Sequence, residues 1–186
     1  ILGEEDAKFL GLILVPKVLT AAMSRQDIPM EKREDFFLYV DEFQNYATED
    51  FATILSEARK YRLNLIVANQ YISQIDEQVR SAVFGNVGTM VSFRVGVTDA
   101  QFLQHEFAPT FVETDLANIE KYHVYIKTIV KNEPVPAFSM SLEKDMKEVA
   151  ARMKPELAKA LKELSRLKYG KDKAEVEAEI ATRARL

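Results

Sequence analysis

The sequence predicts an α/β fold: a three-layer core with a mainly parallel sheet flanked by helices, followed by a charged helical extension. Three observations carry this reading. Phe36-Phe37-Leu38-Tyr39-Val40 is an apolar run of strand length, rich in aromatic and β-branched residues, as expected of a fully buried strand. Leu63-Asn64-Leu65-Ile66-Val67-Ala68 is a second such run, and a helical pattern lies between the two. Strand, helix and strand within about 35 residues make a βαβ unit with parallel strands. The 186-residue length suits one domain of ordinary size, and 47% hydrophobic with 29% charged residues is normal for a globular chain.

The elements come in order. Residues 4–25 predict an amphipathic helix with Leu10, Ile13, Leu14, Val18 and Met23 near helical spacing. Gln26 to Asp35, with Pro29 and mixed charges, predicts a solvated connector before the first strand. Thr48 then reads as an N-cap, with Glu49 and Asp50 in the first turn complementing the dipole. That helix should run to about Tyr61, with Phe51, Ile54, Leu55 and Ala58 on one face. After the second strand come a helix near 76–84 and a third strand, Thr89 to Val95. Thr98-Asp99-Ala100-Gln101 reads as a capping box opening a helix to about Phe107. Tyr122 to Val130 predicts a further strand, and Pro134 and Pro136 fit a sheet edge or a turn.

Two domains are expected: 1–141 as the α/β core and 142–186 as the extension. In the latter Leu142, Met146, Val149, Met153, Leu157, Leu161 and Leu164 recur every three or four residues. Pro155 should kink or split that helix and Gly170 should stop it, with a frayed or partner-dependent tail beyond. The extension holds twelve Lys/Arg and nine Asp/Glu, the remainder thirteen and twenty, so a net −7 body precedes a net +3 tail. So acidic a body is not built to lie along a nucleic-acid backbone; contact with DNA would be through a few loops or a ring interior. Zero Cys excludes disulfides and thiolate metal sites and fits a cytosolic compartment. His105 and His123 are isolated and make no zinc site. No apolar stretch reaches the roughly 18–20 residues of a membrane span. The chain opens within a helical pattern at Ile1-Leu2-Gly3, which we read as a piece of a longer protein.

Asp41 and Glu42 stand where the first strand must end, and open α/β sheets bind ligands outside the carboxyl ends of their strands. One carboxylate suffices to hold Mg2+, which keeps several waters, and a second can orient or deprotonate the water attacking a γ-phosphate. This is the logic of a Walker B pair; the bland alternative is that Asp-Glu merely caps the turn after the strand. Asn69 and Gln70 end the second strand on the same rim, where a neutral amide can hydrogen-bond a phosphate or the water. Arg59, at the end of the intervening helix, compensates its dipole or reaches a neighbouring subunit's phosphate.

Phe-Leu-Tyr-Val-Asp-Glu-Phe-Gln-Asn (37–45), Ser-Glu-Ala-Arg-Lys-Tyr-Arg-Leu-Asn-Leu-Ile-Val-Ala-Asn-Gln-Tyr (56–71) and Phe-Gly-Asn-Val-Gly-Thr (84–89) resemble a known family. It is the C-terminal half of the motor domain of type IV secretion coupling proteins, the TraG/TraD-like conjugative DNA-transfer ATPases of the HerA/FtsK superfamily. The resemblance spans roughly residues 1–141. It implies a RecA-like P-loop NTPase core, here partial, assembled as a homohexamer that moves DNA using ATP and Mg2+. It implies Asp41 as the metal-holding and Glu42 as the water-activating residue, Gln70 as the γ-phosphate sensor and Arg59 as a trans phosphate contact. Arg94, in the shared Ser-Phe-Arg-Val block, is a further nucleotide-contact candidate. Relaxase or other secretion-system proteins are implied partners. The implied location is the cytoplasm, at the cytoplasmic face of the inner membrane where an upstream anchor exists.

No G-x-x-x-x-G-K-S/T occurs, so the phosphate loop is expected upstream of Ile1 and the segment alone should bind nucleotide poorly or not at all. Three alternatives stay open: a HerA/FtsK-like translocase outside secretion, a UvrD-like helicase fragment, and a catalytically inert interaction subunit. The helicase reading suffers because Asn45-Tyr46 and Val-Ala-Asn-Gln stand where that family places Asp and a Gly-Asp-x-x-Gln block.

Overall fold

Strands β1 (Phe36–Val40) and β2 (Leu63–Val67) pair in parallel, in register from Phe36↔Leu63 to Val40↔Val67. Their starts are pinned together: Phe36 N–H donates to Arg62 O at 2.9 Å, and Asp35 accepts from Asn64 Nδ2 at 3.3 Å and pairs with Arg62 at 3.4 Å. The computed structural model describes residues 4–47, 51, 55, 57–144 and 146–184. The expected N-cap at Thr48 with Glu49 and Asp50, and the inward Ile54, lie outside the described residues. Phe51 and Ala58 are buried and Leu55 packs on the same core, as the pattern predicted. The crossover ends in a 3-10 turn, Ala58–Tyr61, with Arg62 left-handed at φ 54° turning the chain into β2.

One core gathers Val40, Phe43, Phe51, Leu63, Val79 and Val83 with Ala22 of α1 (Glu4–Met23). Helix α1 docks through Val15, Val18, Leu19 and Ala22; of the face expected only Val18 packs inward, and Leu10, Ile13, Leu14 and Met23 are exposed. Residues 9–15 are apolar on every side of the helix, so spacing alone could not choose the docking stripe. β1 departs from expectation too. Val40 is buried, but Phe36, Phe37 and Tyr39 are exposed, Tyr39 by 72%. Within the described residues this sheet has two strands, so β1 has one neighbour and one covered face.

Helix α2 (Glu77–Asn86) starts at Asp76, whose Oδ1 accepts the Gln78 N–H at 2.9 Å. The third strand, β3 (Thr89–Ser92), forms and then pairs antiparallel with β4 (His123–Val130), which pairs antiparallel with β5 (Glu133–Ser141). It therefore does not extend the parallel sheet by hydrogen bonds; among the described residues the parallel part is β1 and β2. Lys131 and Asn132, both left-handed, make the two-residue turn between β4 and β5. Pro134 and Pro136 sit in β5, the outer strand, where missing donors cost nothing.

Helix α3 (Val97–Phe107) begins at Gly96, so Thr98 is not its cap and the expected capping box does not form. Asp99 instead turns inward, buried, to accept the Ile72 N–H at 3.2 Å. With α4 (Glu113–Ala117), α3 builds a second core of Ile72, Ala100, Leu103, Phe107, Leu116 and Ile119.

Residues 143–186 form a separate unit. It holds α5 (Met146–Arg152), α6 (Pro155–Tyr169) and α7 (Lys173–Ala184). Pro155 splits the first two as expected, because it tolerates only the first turn of a helix. Helix α6 stops at Gly170. The tail is helical rather than frayed, supported by Lys173–Glu177 and Arg183–Glu179 pairs one turn apart. Leu157, Leu161 and Leu164 lie exposed along α6. Among the described residues no helix is long and apolar enough to cross a membrane.

Burial decides what each aromatic contributes. Phe107→Ala should destabilise the chain by about 3–5 kcal/mol in denaturant unfolding, because its ring is fully buried. Phe37→Ala should cost under about 1 kcal/mol in the same measurement. Equal losses would refute the placement of the second core.

Candidate functional site at the parallel strand ends

Pairing between β1 and β2 continues past both strands. Ala68 N–H donates to Val40 O at 2.9 Å, and Phe43 N–H donates back to Ala68 O at 2.9 Å. The chain leaving β1 is thereby tied to the chain leaving β2, and residues 41–45 share one rim with 68–70. Phe43 anchors the tie. It is fully buried, with its ring centroid 4.7 Å from that of Phe51.

Glu42 sits between strand and anchor in the left-handed region, φ 49° and ψ 45°. A non-glycine residue there carries strain of order 1–3 kcal/mol. The local bonds hold it: Asp41 Oδ1 accepts the Glu42 N–H at 3.0 Å, and a 3-10 turn, Phe43–Asn45, comes at once after it. This conformation turns the Glu42 side chain across the rim. Its Oε1 accepts Gln70 Nε2 at 2.6 Å, and its Oε2 accepts Gln44 Nε2 at 2.6 Å. Both are short, as hydrogen bonds to a carboxylate are.

The structure therefore brings Asp41, Glu42 and Gln70 together, as the two strand ends predicted. Asp41 is exposed beside Glu42, with one oxygen spent on the backbone. Its hard oxygen chemistry suits magnesium, which takes one or two carboxylates plus phosphates and waters. Among the described residues no cluster of three or more His, Cys, Asp or Glu gathers here or elsewhere, so protein alone offers no full cage. Glu42 has both oxygens on amide donors, a setting that fixes the direction of its carboxylate.

Arg59 is not at this rim. Arg59 is exposed in the turn preceding β2, so β2, five residues at about 3.3 Å each, separates it from Gln70. Arg94 is exposed in the loop after β3, on the antiparallel sheet. Two participants went unassigned in the sequence. Gln44, two residues beyond Glu42, is the second amide on its carboxylate. Gly11 of α1 lies against the Tyr46 ring so closely that a Cβ would overlap it. The first was legible as an amide within reach of an acid across a tight turn; the second needs tertiary contact.

Residues 35–110 match a family model described as the TraM recognition site of TraD and TraG. Among solved structures, the unbound monoclinic form of the bacterial conjugative coupling protein TrwB matches with TM-score 0.52 at 16% identity, covering 69% of this chain and 36% of that one. TrwB in complex with the non-hydrolysable ATP analogue ADPNP gives 0.55 at 17% identity, over 72% and 37%. Its complex with the GTP analogue GDPNP gives 0.53 at 18% identity, over 69% and 36%. No curated protein sequence matches the chain. The chain thus spans little more than a third of the length of these structures, and at such identity the likeness is one of fold.

The Gly11 contact gives a test of how α1 supports the rim. Gly11→Ala should destabilise by about 1–3 kcal/mol through overpacking, and adding Tyr46→Ala should relieve most of that loss. Additive losses in denaturant unfolding would refute the contact. The fold is α/β and RecA-like as in TrwB, present in part, and the chain resembles the C-terminal region of TraG/TraD-like coupling proteins, as its motifs led us to expect.

Proposed function

We propose that this chain is the hydrolytic half of an ATP-driven coupling ATPase that moves DNA in conjugation or type IV secretion. The observation that carries the reading is the Glu42–Gln70 bond at 2.6 Å, which joins an acid after β1 to an amide after β2. Two adjacent parallel strands thus bring an acid and an amide to one point, which supports reading them as base and phosphate sensor. The match of residues 35–110 to the TraG/TraD model and the likeness to TrwB, solved with ATP and GTP analogues, support the same reading.

In this reading Asp41 holds Mg2+, which neutralises charge on the phosphates. Glu42 orients the attacking water and takes its proton, while Gln70 donates to the γ-phosphate. Arg59, far from its own rim, completes a neighbouring subunit's site in a homohexamer, and Arg94 is the weaker nucleotide contact. Residues 1–141 act as the nucleotide-facing half and 142–186 as a charged extension. Secretion-system proteins dock on the 35–110 segment, in keeping with the TraM-recognition description of its family model. The working location is the cytoplasm.

In the full-length protein, Glu42→Gln should lower ATP turnover by roughly 10²–10⁴ while analogue binding persists. Unchanged turnover would end the assignment of Glu42. Arg59→Ala should also abolish turnover, yet mixed oligomers with Glu42→Gln subunits should regain part of it, since each variant supplies what the other lacks. Absence of recovery at every mixing ratio would remove the trans role.

A further inference from the structure

Glu42 is held by two amides that are not alike. Gln70 is exposed on its loop, and nothing beyond its bond to Glu42 holds its side chain among the described residues. Gln44 is partly buried in a turn fixed at both ends. On one side Phe43 is buried against Phe51 and bonded to Ala68; on the other Tyr46 lies on Gly11. The Gln44 Oε1 is buried with no hydrogen-bond partner among the described residues. Leaving a buried amide oxygen without a protein partner is costly. The arrangement accepts that loss in order to keep Nε2 on the carboxylate.

We infer that Gln44 is a positioning residue that fixes Glu42 through Oε2, while Gln70 occupies Oε1 only until a terminal phosphate competes for its amide. The inference rests on the hydrolytic reading of this rim and deepens it. Once Gln70 turns to donate to a γ-phosphate oxygen, Oε1 is released with its lone pair. Gln44 keeps the carboxylate aimed so that Oε1 meets the water. The proton passes from water to Oε1 as the water oxygen bonds to phosphorus. The bridging P–O bond breaks, and its electron pair leaves on the nucleoside diphosphate. Gln44 touches none of these atoms. Without ligand, the Gln70–Glu42 bond occupies the base, so the same amide that senses the phosphate also frees the carboxylate.

Gln44→Met separates this role from a structural one. Met has similar length and no donor, and it removes the buried unpartnered oxygen. The variant should therefore unfold at the same or higher denaturant concentration than the parent. In the full-length protein its kcat should nevertheless fall about 10–100-fold, as expected when a reacting group is misplaced by about 1 Å. KM and affinity for a non-hydrolysable ATP analogue should stay within about two-fold of the parent, since uniform binding is untouched. In a Glu42→Gln background, adding Gln44→Met should change nothing further, because a residue acting through Glu42 has nothing left to position. Turnover within about two-fold of the parent, or a further loss of about tenfold in the Glu42→Gln background, would overturn the role of Gln44. A collapse with Glu42→Gln beside normal turnover with Gln44→Met would remove this inference alone. Full turnover with Glu42→Gln would remove the hydrolytic reading and the inference together.

Discussion

Everything at the rim depends on one backbone link, the reciprocal bonds that tie the exit of β1 to the exit of β2 through Val40, Ala68 and Phe43. Strand side chains alternate faces, so a slip of one residue in the β1–β2 register would turn Asp41 and Glu42 away from Gln70. The register is set at the far end by Asp35 on Arg62 and Asn64, and at the near end by Phe43 entering the core. Between these two anchors the strands have no freedom to slide. Chemistry after the strands inherits a position fixed by packing before and beneath them.

The parts legible in the sequence were those governed by local pattern. Two apolar runs with a helical segment between them can form only a narrow set of βα arrangements, and the polar residues ending each run must then share an edge. Asp41, Glu42 and the Asn69-Gln70 pair came from that pattern, and the family resemblance singled out Gln70. What escaped was set by partners. A strand apolar on both faces reads as buried whether or not its second face meets anything, so Phe37 and Tyr39 were expected inside. Helix α1 is apolar all round over residues 9–15, and only the position of the core chose Val15 and Leu19 beside the expected Val18. The route of β3 was likewise hidden, since nothing in Thr89 to Ser92 states whether its neighbour runs with it or against it; β4 decides that by pairing with it antiparallel.

Gln44 belongs to a third kind of omission. Its type and spacing were in plain view beside the acid, but its meaning depends on the backbone of Glu42. With Glu42 in an ordinary extended conformation, the chain would carry the two side chains apart. The left-handed turn folds the acid back over the 3-10 turn and within reach of both amides. A single unusual dihedral pair converts a sequence neighbour into a hydrogen-bond partner.

That dihedral pair is also the strongest argument that the acid matters. Glycine would adopt φ 49° without penalty, and asparagine or aspartate would tolerate it better than glutamate. A fold selecting only for the turn has no use for a long acidic side chain at this point. Glutamate supplies reach: its carboxylate spans to Gln70 across the rim and to Gln44 beneath it, which neither glycine nor a shorter acid could do from the same Cα. The strain is sustained by Phe43 in the core and by Tyr46 on Gly11, two packed anchors that over-determine the turn from either side. Backbone strain held in place by buried aromatics, and ending in a carboxylate at the edge of a parallel sheet, marks a site where orientation of the charge is worth more than the stability it costs.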